Sequence, residues 1–236
     1  FFAGISLYNF KKFFFDYKLL CIGAIQFGLM YIFYIQSYQF LPAYLVATFT
    51  ITTPIFIAIS NKVLLKKDIP LAGIYAILLV LTGSFIMRYN VVNPFDYWKG
   101  FFLIQIANFF FAAGQILFKD WNEKNNNIDI IHNFSQLFLG ASIVTSIFYI
   151  SSTNSYDSLS NLNLITLFFL GFISSGLGFL LWNIGATKVS TEKLAISNNI
   201  IIPIAVINSY LIFGEQINLF SFLPGLLCFY IAYRIL

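Results

Sequence analysis

Three amide side chains are predicted to share one face of a helix. The face consists of Gln105, Asn108, Ala112 and Gln115, at successive spacings of three, four and three residues. At ~100° per residue these positions fall within an arc of about 80°. Amides donate and accept hydrogen bonds but are poor acids, bases and nucleophiles, so this face favours binding over catalysis. Such a face either bonds to neighbouring helices or lines a polar cavity, and we expect a cavity.

A second apolar stretch contains two amides about one helical turn before a proline. Asn198 and Asn199 lie just before Pro203, and a proline frees the backbone carbonyl four residues earlier, here that of Asn199. These amides either contact a substrate or satisfy the kink in the helix. Threonines precede Pro54 in the same way, and we expect them to bond mainly to their own helix.

Two further stretches carry polar groups. Trp182 and Asn183 follow Gly178 by about one helical turn; Trp182 either lines a cavity or anchors the helix at the interface, and Gly178 is expected to allow close packing. Gln26 lies near the middle of another stretch. The candidate substrate-binding residues are Gln26, Thr50, Asn108, Gln115, Trp182, Asn183, Asn198 and Asn199, and the candidate structural residues are Pro54, Pro203 and Gly178.

The sequence offers no constellation of residues for catalysis. The single histidine, His132, stands beside Asp129, and the two cysteines, Cys21 and Cys228, each lie alone within an apolar run. Neither cysteine has the spacing of a metal ligand or of a disulfide framework. A Gly-rich phosphate loop and a nucleophile–base set are also missing from the sequence. We therefore expect no enzyme, no metal and no cofactor.

The amino-acid composition indicates that the chain lies in a lipid membrane rather than in water. Of 236 residues, 59% are hydrophobic and 9% are charged, against about a quarter charged in a typical soluble domain. Together with a mean hydropathy of +0.84, this excludes a soluble globule, a disordered chain and a disulfide-stapled secreted module. Membrane lipid is the expected partner. The net charge of +4 is explained by basic loops rather than by nucleic acid binding.

Eight nearly charge-free stretches predict eight transmembrane helices, α1 to α8. They run over 19–38, 41–61, 69–87, 100–118, 133–151, 164–187, 194–214 and 217–235. Residues 1–10 are expected to be the tail of an earlier span. Long apolar runs lack the alternation of a membrane β-barrel, so the predicted fold class is an all-α, polytopic helical bundle.

The loops between these helices differ in their lysine and arginine content. With the loop before α1 in the cytoplasm, that side carries 11 of the 13 basic residues, and the other side carries only Arg88 and Lys99. This distribution predicts a multi-pass protein of a cell membrane. Frequent Phe, Ile, Asn and Lys suggest an AT-rich genome and hence a bacterial inner membrane.

An internal repeat relates the two proline-bearing helices. When Pro54 is placed over Pro203, five of 19 positions match between 42–60 and 191–209. In both copies a hairpin precedes the helix and a charged corner follows it. The copies are five spans apart, an odd number, so they cross the membrane in opposite senses. Inverted repeats of this kind are typical of secondary transporters.

These motifs resemble those of a known family. A set of residues in the second half of the chain looks like the second EamA repeat of the drug/metabolite transporter superfamily. These residues are Leu170-Gly171, Leu181-Trp182-Asn183, Ala186, Val189-Ser190, Pro203 and Gly214-Glu215. The resemblance implies two inverted five-helix repeats around a central cavity. Residues 1–90 would be the remainder of the first repeat, lacking its first helix and most of its second, and 98–236 would be the second repeat. Lys66-Lys67-Asp68 departs from the family's Gly-Glu corner.

The expected function is that of a secondary transporter, a carrier or exporter working by alternating access. The resemblance implies small organic metabolites such as amino acids or related amines as substrates. Phosphate-bearing substrates are disfavoured because no lysine or arginine lies at membrane depth. Two alternatives stay open, a membrane-embedded enzyme and a non-transporting assembly protein, and a homodimer is considered as the oligomeric form. All nine carboxylates lie in loops or at span ends, with Glu215 nearest the interior, which predicts transport without obligatory proton coupling.

Overall fold

The computed structural model describes residues 15–88, 97–125, 129–151, 160–214 and 217–236, and its regular structure is entirely helical within those ranges. Each predicted stretch contains one helix. These helices are α1 Tyr17–Ser37, α2 Ala43–Leu65, α3 Leu71–Arg88, α4 Trp98–Lys124, α5 Ile130–Ser151, α6 Asn161–Thr187, α7 in two segments, Thr191–Asn198 and Ile201–Phe213, and α8 Leu219–Ile235. The prediction of an all-α, polytopic fold is confirmed.

Within the described residues, six of these helices are long and apolar enough to cross a membrane, namely α1, α2, α4, α5, α6 and α7. The apolar parts of α3 and α8, Leu71–Met87 and Leu219–Ile235, are shorter. At ~1.5 Å per residue, 17 residues still extend over about 26 Å, close to the ~30 Å of the hydrocarbon core. The protein is therefore a multi-pass membrane protein.

Short polar side chains determine where several helices begin. Asp16, Asp129, Ser160, Ser190 and Asn218 each cap a helix by accepting a hydrogen bond from a backbone N–H of its first turn. Such caps satisfy donors that the helix itself leaves unpaired.

Two left-handed residues end helices. Gly214 closes α7 with φ +68°, as expected for a glycine. Lys66 closes α2 with φ +56°, at the corner where the sequence departs from the family pattern. Glu215, the other half of the predicted Gly-Glu corner, lies outside the described residues.

The chain divides into two compact units. Unit 1 contains residues up to Leu29 together with Leu117–Lys188, and unit 2 contains Met30–Ile116 together with Val189–Leu236. The boundaries fall within α1 and α4, so these units do not coincide with the predicted repeats 1–90 and 98–236. That repeat division is a relationship between sequence segments and stays a prediction.

Unit 1 is built on a close crossing of α1 and α5. A Cβ atom added at Gly23 would overlap the backbone carbonyl of Leu137, and one added at Gly140 would overlap that of Leu20. Because each helix approaches the other through its own glycine, no larger residue fits at either position. Beside this crossing, the ring of Phe27 stacks on Phe138, with centroids 5.1 Å apart.

Unit 2 contains a second pair of glycines at the contact of α3 with α8. A Cβ at Gly83 would lie 2.8 Å from the carbonyl oxygen of Gly225, and a Cβ at Gly225 would lie 2.9 Å from that of Gly83. A buried apolar cluster of Leu41, Leu45, Val46 and Ile104 joins α2 to α4. This packing places the amide face of α4 beside the middle of α2.

Candidate functional site

The helix α2 is interrupted immediately before Pro54. Its first α-helical segment, Ala43–Phe49, is followed by a 3-10 turn, Thr50–Thr52, and by a second segment, Thr53–Leu65. The backbone N–H of Thr53 bonds to the carbonyl of Thr50 instead of that of Phe49. Pro54 has no N–H to donate. The carbonyl of Phe49 is consequently open to side-chain donors.

Two amides of α4 bond to this open carbonyl. Gln105 Nε2 and Asn108 Nδ2 lie 3.3 and 3.0 Å from the oxygen of Phe49. Thr52 Oγ1 donates to Gln105 Oε1 at 2.6 Å and accepts from Asn108 Nδ2 at 3.2 Å. The first half of the predicted amide face therefore satisfies the break in α2.

The helix α7 is interrupted in the same place relative to its proline. Between Asn198 and Ile201 the backbone makes two tight bonds, from Ile200 N–H to the carbonyl of Ser197 at 3.1 Å and from Ile202 N–H to that of Asn199 at 3.0 Å. Both copies of the proline-bearing helix thus contain a broken turn, and the broken turn of α7 is followed by Pro203.

The remaining amide of the α4 face bonds to the break in α7. Gln115 Nε2 donates to Asn198 Oδ1 at 3.3 Å, and Asn198 Nδ2 donates to Gln115 Oε1 at 3.2 Å. Gln115 is fully buried. One face of α4 therefore serves both interruptions, and interhelical hydrogen bonding accounts for all three of its amides. Whether this face also lines a substrate cavity stays a prediction.

Asn199 connects the two broken turns directly. Its Nδ2 atom donates to the backbone carbonyl of Ile51, within the 3-10 turn of α2, at 2.9 Å and lies 3.2 Å from Ser84 Oγ of α3. Asn199 is 1% exposed. Because a buried amide without partners costs free energy, this bond stabilises the contact between the two breaks.

Unit 1 contains a second polar pair, formed by two of the candidate residues. Gln26 Nε2 donates to Asn183 Oδ1 at 3.0 Å, and Asn183 Nδ2 donates to the carbonyl of Phe179 at 2.8 Å. Both side chains are 0% exposed. Among the described residues, Gln26 Oε1 and the Nε1 atom of Trp182, which precedes Asn183 in the chain, are buried without a hydrogen-bond partner.

The other candidate residues have local roles. Thr50 Oγ1 donates to the carbonyl of Ala47 at 2.7 Å, as expected for a threonine bonded to its own helix. In the described part of the chain, a Cβ at Gly178 would meet only Ile173 O, at 3.6 Å, so a neighbouring helix packed on this glycine is not seen there. The structural role of Gly178 stays a prediction.

Two wide-turn segments were not foreseen from the sequence. The π-helical segments Ala24–Leu29 of α1 and Phe169–Leu177 of α6 both belong to unit 1. Aligning Pro54 with Pro203 pairs each residue of the first repeat with the residue 149 positions later. In this alignment residues 24–29 correspond to 173–178, which overlap the π-helical segment of α6. Interruptions of this type often mark functional sites. Comparison of the repeats beyond their proline helices could have drawn attention to both segments.

Two pairs that contain a carboxylate lie at helix ends in the described residues. Trp121 Nε1 donates to Asp16 Oδ2 at 2.7 Å, and Asp129 Oδ2 lies 2.9 Å from His132 Nδ1. Burial alone would raise the pKa of Asp129, but hydrogen bonds from His132 and from the N–H of Ile131 lower that pKa below its usual value. Among the described residues there is no group of three His, Cys, Asp or Glu side chains that could hold a metal ion.

The chain is similar in sequence to known transporters. The profile of the EamA-like transporter family matches residues 98–236. A biotin transporter of Escherichia coli (strain K12) is 30% identical over 210 residues, which cover 88% of this chain and 69% of the relative. A probable biotin transporter of Pseudomonas aeruginosa is 30% identical over 203 residues, covering 85% of this chain and 70% of the relative.

One solved crystal structure has a similar fold. It matches with a TM-score of 0.75, covering 99% of this chain and 82% of the other, at 11% sequence identity. At that identity the likeness concerns the helical architecture alone.

Proposed function

Because the chain belongs to the EamA-like transporter family, we propose that it carries a small organic metabolite by alternating access, and that biotin is its substrate. The resemblance to the drug/metabolite transporter superfamily is confirmed, and the protein is a membrane transporter. Relatives from two bacteria carry names that specify biotin. Transport rather than catalysis is the activity we propose.

The observation that best supports this proposal is the pair of interrupted helices. Broken helices at the interface of two repeats are typical of secondary transporters, where freed backbone groups and nearby side chains bind substrates or ions. In unit 2 the two breaks are joined by the hydrogen bond from Asn199 to the carbonyl of Ile51. In this proposal the two repeats move relative to one another about this contact.

The packing of the same helices supports an inverted arrangement. The first segment of α7, Thr191–Asn198, packs against the second segment of α2, Thr53–Leu65. For two helices that meet at their breaks, this pairing of first with second segments supports an antiparallel course. We therefore propose that 1–90 and 98–236 are inverted repeats.

The substrate class can be tested by competition. Amino acids and related amines, which the family resemblance implied, are the alternative to biotin. Cells lacking their own biotin uptake should accumulate radiolabelled biotin when they produce this protein, and unlabelled biotin should compete while amino acids and amines should not. Accumulation no higher than in cells with an empty vector would contradict the biotin assignment, and competition by amino acids would favour the alternative.

A further inference from the structure

The buried polar pair of unit 1 leaves one hydrogen-bonding atom in a defined orientation. Asn183 Nδ2 donates to the carbonyl of Phe179, so the other end of the Asn183 amide must be its oxygen. That oxygen accepts from Gln26 Nε2, which fixes the orientation of the Gln26 amide in turn. Gln26 Oε1 is therefore presented as an acceptor, with no donor among the described residues.

A second unpartnered group of opposite polarity lies next to this pair in the chain. Trp182 Nε1, a donor only, is also buried without a partner among the described residues. Buried polar atoms in folded proteins are nearly always hydrogen-bonded, so each exception requires an explanation. A ligand that offers an N–H group and an oxygen acceptor would satisfy both kinds of atom.

Aromatic residues flank this polar pair in the chain: Phe27 follows Gln26, and Phe179 lies one turn before Asn183. The neighbouring ring of Phe27 lies 4.8 Å from that of Phe179 and 5.1 Å from that of Phe138, measured between centroids. Asp16, the carboxylate described on α1, is ten residues from Gln26, which corresponds to ~15 Å along a helix, and it is bonded to Trp121. Among the described residues Gln26 has no carboxylate partner, so the site suits an uncharged head group, since an ammonium group there would be buried without a counter-charge from those residues.

We propose that Gln26 Oε1 accepts a hydrogen bond from an N–H of an uncharged amide or ureido head group of the substrate, with Trp182 Nε1 as a donor to the oxygen of that group. This inference rests on the proposed function, because biotin is the probe that has such a head group. Its ureido ring is uncharged and carries two N–H donors and one carbonyl acceptor. In this arrangement the rings of Phe27 and Phe179 would pack against the apolar part of the ligand.

The test is a double-mutant cycle in which one change is made in the protein and the other in the ligand. Dissociation constants are measured for biotin and for biotin methylated at a ureido nitrogen, with the purified protein and with Gln26→Leu. We expect methylation to weaken binding about tenfold in the unaltered protein and less than twofold in Gln26→Leu. Gln39→Leu, a change at an exposed glutamine after α1, is the matched control and should leave both constants unchanged.

A second variant keeps the inference testable if Gln26→Leu does not fold. Trp182→Phe retains an aromatic ring and removes only the unpartnered donor, so biotin should bind several-fold more weakly while the melting temperature of the free protein does not fall. Equal effects of methylation in the unaltered protein and in Gln26→Leu would overturn the assignment of Gln26. Absence of biotin binding by the unaltered protein would overturn the proposed substrate as well.

Discussion

Asn199 donates a 2.9 Å hydrogen bond to the backbone carbonyl of Ile51, and this bond joins the broken turn of α7 to the broken turn of α2. The two residues are 148 positions apart in the chain. Each break lies just before a proline, Pro203 or Pro54, and each is also bonded to an amide of α4. Amides of α4 and α7 therefore bond to two backbone carbonyls at the break of α2, and Gln115 of α4 bonds to the side chain of Asn198 at the break of α7.

The bond between the two breaks predicts the effect of removing Asn199. In Asn199→Ala the carbonyl of Ile51, in a half-buried residue, loses the Asn199 donor, at a cost of about 1–3 kcal/mol. If the breaks move during transport, we expect the rate of biotin exchange per folded protein to fall about tenfold. Asn208→Ala is the control, because Asn208 is an exposed asparagine of the same helix. Equal rates for the two variants would contradict a role of Asn199 in transport.

The crossing of α1 and α5 predicts a large effect of adding one methyl group. In Gly23→Ala the new Cβ overlaps the backbone of Leu137, so the helices must separate. We expect a loss of stability of about 1–3 kcal/mol, the usual range for overpacking, measured by thermal unfolding in detergent. Gly185→Ala is the control, since its Cβ would meet no described atom within 4 Å and alanine favours the helix. A Gly23→Ala protein as stable as the control would show that the crossing is looser than described.

The cap of α5 predicts a loss of stability in acid. The pKa of Asp129 is lower in the folded protein than its ordinary value, because hydrogen bonds from His132 and Ile131 outweigh the effect of burial. A group of this kind stabilises the fold above its unfolded pKa of ~3.9, and that contribution disappears as the pH falls through the folded value. Melting temperatures between pH 6 and pH 3 should therefore decrease less in Asp129→Asn, which retains an oxygen for the cap but has no charge to lose. Identical pH profiles would contradict the assignment.

The charge distribution predicts the orientation of the chain. After the native cysteines Cys21 and Cys228 are replaced by alanine, single cysteines are introduced at Asn125 and at Asn154. We expect Asn125→Cys to react with an impermeant thiol reagent from the cytoplasmic side and Asn154→Cys from the opposite side. Asn125 follows α4, whereas Asn154 lies outside the described residues. Labelling of both from one side would mean that the number of spans between them is not one.

The sequence was informative wherever a local rule applies. Charge-free runs predict the helices, and Pro54 and Pro203 predict where α2 and α7 are interrupted, because a proline cannot donate to the preceding turn. Even the polar face of α4 follows from spacing alone. Each of these features depends on residues within a single helical stretch.

The partners of the polar residues could not be predicted in this way. Asn199 bonds to a backbone carbonyl, which every residue possesses, and Gln26 bonds to Asn183 at a separation of 157 positions. The π-helical segment Ala24–Leu29 has no established sequence signal, and only its alignment with α6 through the repeat singles it out. Such contacts depend on tertiary packing, which spacing within a helix does not determine.

The central claim, that this protein is a carrier for a small organic metabolite, is tested most directly by counterflow. The purified protein is reconstituted into liposomes loaded with unlabelled biotin, and the liposomes are diluted into labelled biotin with no pH gradient and with the membrane potential clamped. A carrier working by alternating access predicts a transient accumulation of chemically unchanged label above its equilibrium level. Accumulation equal to that of protein-free liposomes would contradict carrier activity toward biotin, and conversion of the label to another compound would favour a membrane-embedded enzyme.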